Sequence, residues 1–305
     1  MNRLDDMALF VRLVDAGSFT AAAERAGLSK SLLSRRIAAL EDRLAARLLN
    51  RTTRRLSVTE TGAGFYERSK RILTEVEEAE TLAGCDDAEP RGTLRVAAPM
   101  SFGMRHLSPA FADFLRSHAE LSVELDLNDR FVDLASEGHD LAVRVGRLPD
   151  SNLVARKLAP SRMAVVASPA YVAAHGKPAT PGDLVGRPLL SYSNRSMADE
   201  WRFTGLGDRL AGRLTQRMSA NNGEVLLDAA VAGLGIAALP TFIASPALAR
   251  GDLLRLLERH PIEESGIYAL YLPNRHLSAK VRRFVDFLAE RFGGEPYWDK
   301  VLGGG

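Results

Sequence analysis

The chain has 305 residues, of which 46% are hydrophobic and 26% charged, and its formal net charge is +2. This length suffices for two or three domains with their own cores, and the composition excludes a disordered chain. The single cysteine excludes a disulfide framework and favours a reducing compartment, and no apolar run is long and continuous enough to span a bilayer, so we expect a cytoplasmic protein without a membrane partner.

The charge is unevenly distributed along the chain. Residues 1–58 contain 11 Lys and Arg against 6 Asp and Glu, whereas residues 59–90 contain 3 against 9. A basic N-terminal segment followed by an acidic one indicates that the protein binds nucleic acid at one end.

Two short helices are predicted within the basic segment, on either side of a glycine. Ser18 is a good N-cap for the run FTAAAERAG, Gly27 ends that run, and Ser29 caps the helix that follows. Two helices joined by about three residues with a glycine at the corner are typical of a helix-turn-helix.

The second of these helices has two unlike faces. Leu33, Ile37 and Leu40 recur at helical spacing and are predicted to face a core. The opposite face carries hydroxyl and basic side chains that suit base edges and phosphates in a major groove, namely Lys30, Ser31, Ser34 and Arg35. Taken alone, the pattern fits equally well a basic amphipathic helix whose arginines are simply solvated.

The next segment favours recognition over solvation. Arg51, Arg54 and Arg55 lie in a threonine-rich turn between short apolar stretches, which is the pattern of a two-stranded wing that carries positive charge towards a phosphate backbone.

These features together resemble a known family. The run FVRLVDAGSFTAAAERAGLSKSLLSRRIAALEDRLAARLLNRTTRRLSVTETG is similar to the N-terminal domain of LysR-type transcriptional regulators, without gaps. The resemblance implies a sequence-specific regulator that binds double-stranded DNA and is not an enzyme. The predicted DNA contacts are Ser18, Thr20, Ser29, Lys30, Ser31, Ser34, Arg35, Arg51 and Arg54. Two positions depart from the family's commoner pattern: Lys30-Ser31 stand where Gln-Pro is frequent, and Leu49 stands where Phe is frequent. Lys30-Ser31 lie on the reading face, so the bases that are contacted stay open, while the fold is expected to be retained.

A longer helix follows the wing. A seam at spacings of four and three runs along it, weakened by the serine and the alanines, at Phe65, Ser69, Ile72, Val76, Ala79 and Ala83. This seam predicts a homodimer through paired helices, and the alternative is a helix that packs on its own domain. The resemblance adds a homotetramer, and RNA polymerase is a candidate partner.

The remainder alternates between strands and helices, which favours a mostly parallel sheet in an α/β fold. We predict strands at 93–99, 121–127, 140–146, 153–158, 162–167, 188–192, 199–204, 211–218, 234–240 and 267–272. We predict helices at about 102–117, 131–137, 222–232, 241–249 and 278–291.

With the resemblance, the fold class is α/β with an all-α-dominated winged helix-turn-helix head, a long linker helix and a two-lobed effector-binding domain. The predicted segments are the head at 1–58, the linker and dimerisation helix at 59–83, a hinge at 84–92, a first effector lobe at 93–161 and 267–292, a second lobe at 162–266 and a C-terminal tail at 293–305.

The cleft between the lobes is the predicted site of a small anionic or aromatic effector. A turn from strand to helix at Pro99, Ser101 and Phe102 offers backbone N–H groups and a hydroxyl to a carboxylate. The other predicted contacts are Asn128, Tyr192, Ser193, Asn194 and Asn222. For Ser101, Asn128 and Asn222 the alternative role is capping a helix or turn.

Arg144 stands inside an apolar strand, and we favour pairing with Asp140 or Asp126 over contact with a ligand, because an unpaired buried charge is costly.

Catalysis and cofactor binding find little support. The run GLGIAA at Gly233 matches a dinucleotide fingerprint, but a helix precedes it and a strand follows, which is the wrong order. The six histidines lack metal-ligand spacing, so no cofactor or metal is expected, and Cys85 in the hinge is a candidate redox residue with an incidental role as the simpler interpretation. Two alternatives stay open: a solute-binding or catalytic α/β protein whose head serves only assembly, and a DNA-binding protein without an effector.

Overall fold

The computed structural model describes residues 3–52, 55–82, 89–130, 132–206, 209–273 and 277–300. The chain forms two compact units, residues 1–88 and 89–305. Among the described residues, no helix combines the length and apolar character needed to cross a membrane.

The first unit is a three-helix head with a two-stranded wing and a long final helix. Its elements are α1 (Arg3–Ala16), α2 (Phe19–Ala26), α3 (Lys30–Leu44), β1 (Leu49–Thr52), β2 (Arg55–Val58) and α4 (Glu60–Leu82). Strands β1 and β2 pair antiparallel, which confirms the predicted wing. Leu33, Ile37 and Leu40 are buried in the head core, as their spacing predicts.

The predicted helix caps are present. The Ser18 hydroxyl accepts a hydrogen bond from the Ala21 N–H at 3.2 Å, and the Ser29 hydroxyl accepts one from the Leu32 N–H at 3.2 Å. Gly27 ends α2 with φ +64°, a left-handed conformation in which a Cβ would be strained. These caps set where α2 stops and α3 starts, and so orient the exposed face of α3.

Two buried carboxylates connect the elements of the head. Asp6 of α1 is 3% exposed and accepts from the Arg36 guanidinium at 2.7 Å. Glu41 of α3 is 5% exposed and accepts from the N–H groups of Leu48 and Leu49 at 2.8 and 3.1 Å. Because an unpaired buried carboxylate is costly, these bonds hold the wing and α1 at defined positions on α3.

Helix α4 has a buried and an exposed part. Phe65 packs on Phe10 of α1 with ring centroids 5.5 Å apart, and Ser69 is buried. Ile72, the next position of the predicted seam, is 38% exposed. The N-terminal half of the seam therefore packs on its own unit, as the alternative interpretation expected, whereas the side chain of Ile72 is exposed.

The second unit contains ten strands and nine helices within its described residues. The strands are β3 (Gly92–Ala98), β4 (Leu121–Leu127), β5 (Leu141–Gly146), β6 (Val154–Ser161), β7 (Met163–Ala167), β8 (Pro188–Tyr192), β9 (Thr215–Ala220), β10 (Ile236–Pro240), β11 (Leu254–Leu256) and β12 (Ser265–Tyr271). The α-helices are α5 (Met100–Phe102), α6 (Ser108–Arg116), α7 (Leu134–Glu137), α8 (Pro169–His175), α9 (Met197–Glu200), α10 (Gly223–Val231), α11 (Thr241–Arg250), α12 (Ala279–Phe292) and α13 (Tyr297–Lys300). A π-helical turn, Gly103–Leu107, joins α5 to α6, and short 3₁₀ turns span Pro181–Leu184 and Ala211–Arg213.

The ten strands form two five-stranded sheets. The first sheet has the order β4-β3-β5-β12-β6 and the second has the order β11-β7-β10-β8-β9. In the first sheet β12 is antiparallel to both β5 and β6, and in the second β7 is antiparallel to both β10 and β11. The other pairings are parallel, so each sheet is mixed rather than mostly parallel as predicted.

Some predicted elements differ from the structure. The strand predicted at 199–204 is wrong, because a short helix capped by Ser196 occupies its start and only Phe203 forms a bridge, with Ile262. The strand predicted at 211–218 lies at Thr215–Ala220, and α8, β11 and α13 had no predicted counterpart. In contrast, Gly233 has φ +77° after α10 and precedes β10, which confirms the helix-to-strand turn predicted for GLGIAA.

Residues near the C-terminus complete the core beneath the turn at Pro99. Trp298 of α13 is 4% exposed and lies against His106 and Phe102, with ring centroids 4.5 and 5.9 Å apart. Asp299 receives a hydrogen bond from Arg162 at 2.7 Å, at the point where the chain crosses from β6 to β7. This segment, predicted as a tail, thus supports both the turn and the crossing.

Candidate functional site

The first candidate site is the exposed face of the helix-turn-helix. All of the following predicted DNA-contacting side chains are exposed: Ser18, Thr20, Ser29, Lys30, Ser31, Ser34 and Arg35. The hydroxyls of Ser29 and Ser31 lie 3.1 Å apart at the start of α3. A helix N-terminus with hydroxyl and basic side chains around it can bind phosphate and reach base edges at the same time.

The two adjacent arginines of α3 have different roles. Arg36 is half-buried and bonded to Asp6, so it holds α3 on α1. Arg35 is exposed on the opposite face. In the wing, Arg51 contributes its backbone to β1, and Arg54 lies outside the described residues.

The second candidate site is a cavity of about 640 Å³ in the second unit. Residues from both sheets line it. It brings together five predicted effector contacts, namely Pro99, Ser101, Phe102, Tyr192 and Asn194.

Three predicted contacts have other partners in the structure. The Asn128 amide donates to Asp126 at 2.9 Å and accepts from the Arg130 N–H, so it forms a local turn. Asn222 caps α10 by accepting from the Glu224 N–H at 2.9 Å. Ser193 is exposed and its N–H donates to the carbonyl of Ala220. None of the three is among the residues that line the cavity, and their contact with an effector stays a prediction.

Ser101 combines burial with an unused hydroxyl. It is the second residue of α5, two positions after the N-cap Pro99, and is 5% exposed. Its hydroxyl makes no hydrogen bond to any described residue, while the Met100 N–H is bonded to Asp129 at 3.1 Å. First-turn N–H groups have no acceptor within their own helix, so this corner of the cavity presents donors to a ligand.

Five arginines line the cavity wall, and of these the sequence singled out Arg144 alone, for pairing within the protein rather than for contact with a ligand. They are Arg130, Arg144, Arg147, Arg195 and Arg202. Three of them are paired with carboxylates: Arg130 with Glu137, Arg147 with Glu263, and Arg202 with Asp199. The other four, Arg130, Arg147, Arg195 and Arg202, lie outside the helices and strands, which leaves no periodic signal in the sequence.

Arg144 lies in the cavity wall, and the carboxylates expected for it are engaged elsewhere. Asp140 bonds to Lys280 at 3.1 Å, and Asp126 accepts from Asn128 at 2.9 Å. Burial lowers the pKa of Arg144 below its usual value, with the positive charge of Arg130 adding to the effect and Asp129 opposing it. The acids that act on Arg144 are thus Asp129 and Glu137.

Glu200 is an acid in the cavity wall whose pKa lies well above its ordinary value. It is 1% exposed, and one carboxylate oxygen accepts from the Tyr192 N–H at 2.8 Å. The other oxygen, Oε2, is buried without a hydrogen-bond partner. Burial raises the pKa of Glu200 to about 7, so near neutral pH a proton is often present at this position.

A cluster of potential metal ligands lies outside the cavity. Donor atoms of Asp126, Glu137 and His139 approach within 4.8 Å of one another. The Arg130 guanidinium holds the pKa of Glu137 down to about 2, and Asn128 bonds to Asp126. The geometry is therefore explained by ion pairs and hydrogen bonds within the protein.

Comparison with known proteins gives matches along most of the chain. Residues 4–63 match the model for a bacterial regulatory helix-turn-helix protein of the lysR family, and residues 87–293 match the model for a LysR substrate binding domain.

Similar proteins are found among bacterial regulators. An HTH-type transcriptional regulator of Xanthomonas campestris is 40% identical over 94% of this chain and 85% of its own. The HTH-type transcriptional regulator PtxR of Pseudomonas aeruginosa is 37% identical over 96% of this chain and 94% of its own. The solved structure of CrgA, a LysR-type regulator from Neisseria meningitidis, is 33% identical with a TM-score of 0.61, covering 96% of this chain and 100% of that one.

Proposed function

This chain belongs to the LysR family of DNA-binding transcriptional regulators rather than to a family of enzymes, and we propose that it binds a partly palindromic operator through paired heads and responds to a small effector in its cavity. Activity in the cytoplasm follows from this proposal, because its target is DNA.

The exposed face of α3 is the observation that supports DNA recognition most directly. Lys30, Ser31, Ser34 and Arg35 reach base edges in the major groove, where hydroxyl and guanidinium groups discriminate between base pairs. Thr20, Arg51 and Arg54 bind the phosphate backbone, and Ser18 and Ser29 cap the helices that face it.

We propose that α4 forms the dimer through the part of its predicted seam that begins at Ile72. Ile72 supplies an apolar contact that its own unit does not cover. Two heads held together bind two half-sites, which raises the affinity of a small helix-turn-helix. A tetramer formed by two such dimers and a contact with RNA polymerase complete the proposed set of partners.

The proposed effector is a small anion, with or without an aromatic ring. Support comes from Ser101, which is buried at a helix start with an unused hydroxyl, and from the arginine-rich cavity wall. Because the cavity has walls from both sheets, an effector that binds one arrangement of the lobes better than another shifts the equilibrium between them and so alters the pair of heads.

A mobility-shift assay on the full chain tests DNA recognition. We expect the protein to bind DNA from upstream of its own gene more tightly than shuffled DNA of equal length, at both about 50 mM and about 200 mM salt. Arg35→Gln removes this preference, whereas Arg259→Gln, an equal charge change at an exposed position of the second unit, retains it. Equal affinity of the unaltered protein for both DNAs, extended to DNA from the neighbouring genes, would contradict the proposal.

A further inference from the structure

Arg195 differs from the paired arginines that line the cavity. It follows β8 in a turn, where its N–H donates to the Tyr192 carbonyl at 3.1 Å. Its guanidinium makes no hydrogen bond or ion pair with the described residues, unlike those of Arg130, Arg147 and Arg202. Its positive charge lowers the pKa of Asp199 and of Glu200 without forming an ion pair with either.

The guanidinium of Arg195 lies close to a glycine of the other lobe. Gly146 ends β5 of the first sheet with φ +136°, and a Cβ placed there would lie 2.8 Å from Nη2 of Arg195. Any other residue at this position would both strain the backbone and displace the guanidinium. An arginine of the second lobe is therefore seated against the backbone of the first, inside the cavity.

No carboxylate among the described residues forms an ion pair that would explain the placement of the Arg195 guanidinium. A buried or half-buried guanidinium is stabilised by a carboxylate, and Arg is over-represented where a planar anion is bound by two parallel hydrogen bonds. Glu200 is a weak candidate for that partner, because burial favours its protonated form and no ion pair joins it to Arg195.

The hydroxyl of Ser101 provides a second hydrogen-bond donor for an anion in the same cavity. This hydroxyl is unused, and it lies near the start of α10, where a Cβ on Gly223 would be 3.8 Å from the Ser101 oxygen. Apolar side chains of the second lobe complete the lining, among them Leu226, Leu239 and Phe242. The cavity thus offers two separate sites for anionic groups together with an apolar wall that suits a hydrocarbon skeleton.

We propose that the effector is a dicarboxylate, with one carboxylate on the buried hydroxyl of Ser101 and the other on the guanidinium of Arg195. This inference rests on the proposed function and specifies the class of effector. Because Ser101 belongs to the first lobe and Arg195 to the second, a dicarboxylate of suitable length connects the two lobes, whereas a monocarboxylate engages one of them.

Calorimetric titration of the full chain tests this proposal. The probes are benzoate as the monocarboxylate, and succinate, phthalate and terephthalate as dicarboxylates of different span. We expect at least one dicarboxylate to bind about ten- to a hundredfold more tightly than benzoate, which is the range for a charge-assisted hydrogen-bonded pair. Arg195→Gln abolishes that advantage and leaves benzoate affinity within about twofold, because the carboxylate at Ser101 is unaffected.

Two further variants make the result specific. Arg259→Gln leaves all affinities unchanged, and Arg195→Lys keeps part of the advantage, because the charge remains while the planar fork is lost. Melting temperatures without ligand establish that the variants are folded.

The outcomes separate this inference from the proposed function. Equal binding of benzoate and every dicarboxylate, or an equal loss of both in Arg195→Gln, overturns the dicarboxylate assignment while an anion-binding cavity remains. If none of the four probes binds the unaltered protein, the anion-binding role of the cavity and the dicarboxylate assignment both fail, and DNA recognition is judged separately by the mobility shift.

Discussion

Glu200 illustrates at the residue scale how a fold can hold a carboxyl group in its neutral form. Its side chain is buried, only one oxygen has a donor, and Arg195, whose positive charge acts on it, does not form an ion pair with it. Removal from water disfavours the charged form, which is why burial raises the pKa of Glu200 to about 7.

This raised pKa predicts how stability depends on pH. The folded protein holds the proton of Glu200 more tightly than the unfolded chain does, so the stabilisation is complete below the ordinary pKa of 4.5 and is lost as pH rises through about 7. In Glu200→Gln the group stays neutral. We therefore expect the free energy of unfolding of the variant, relative to the unaltered protein, to rise by about 2–3 kcal/mol between about pH 5 and about pH 8.

Urea unfolding followed by tryptophan fluorescence measures this difference, because both tryptophans, Trp201 and Trp298, lie in the second unit. Glu120→Gln, a change at an exposed acid of the same unit, should run parallel to the unaltered protein at all pH values. A parallel course for Glu200→Gln as well would show that Glu200 has an ordinary pKa.

Individual site residues could be predicted only where the signal is local. Ser101 follows a strand and starts a helix within a few residues, so the sequence indicated its place in the cavity. Arg195 could not be found in this way, because its position depends on Gly146 in a different strand and on a conformation that only the folded chain reveals. Glu200 was missed for a similar reason, since the surroundings that bury it come from several elements.

At the element scale, the caps of α2 and α3 separate the roles of neighbouring residues on one helix. Ser29 starts α3, Arg36 turns inward to Asp6, and Ser31 and Arg35 stay exposed. Base-reading and backbone-binding residues of such an element have distinct signatures when they are replaced.

We expect Ser31→Ala to change sequence preference, by about 1–3 kcal/mol at the base pair it contacts, with little effect on non-specific binding.

Arg54→Ala should weaken binding to all sequences alike and lower the salt dependence by about one counterion. Mobility shifts over a salt series with operator and shuffled DNA measure both effects, and Ser117→Ala on the second unit is the control. Equal losses of specific and non-specific binding in Ser31→Ala would remove Ser31 from the reading role.

Elements were predicted well where caps and periodicity agree, as in α2, α3, β4 and β10. The strand predicted at 199–204 is wrong although Trp201 and Phe203 are both buried, as alternate residues of a strand often are. The cap at Ser196 starts a helical turn there instead. The direction of β12 relative to its neighbours could not be predicted from the sequence pattern, because side chains alternate in the same way in parallel and antiparallel strands.

At the scale of the whole molecule, the proposed dimer depends on how α4 packs within its own chain. Its first half is covered by the head, through Phe65 and Ser69, and Ile72 is left exposed. In a symmetric dimer each exposed contact is used twice, so a single substitution has a doubled effect.

Ile72→Glu should therefore weaken the dimer by at least about tenfold in dissociation constant, because two charges replace two apolar contacts in one interface. Sedimentation equilibrium over a range of protein concentrations measures the shift. Ala63→Glu places the same charge at an exposed position of α4 away from the seam and should leave the dimer intact. A dimer that is insensitive to Ile72→Glu but still forms would place the interface elsewhere.

The position of β12 has a consequence for how the protein is made. This strand lies between β5 and β6, and β6 reaches the first sheet only through it. On the ribosome, the head can therefore fold long before the first sheet is complete, since Ser265–Tyr271 emerges late in translation. A product terminated before that strand retains a DNA-binding head and has no finished sensing domain. Under the proposed function, such a fragment still binds operators but does not respond to the effector.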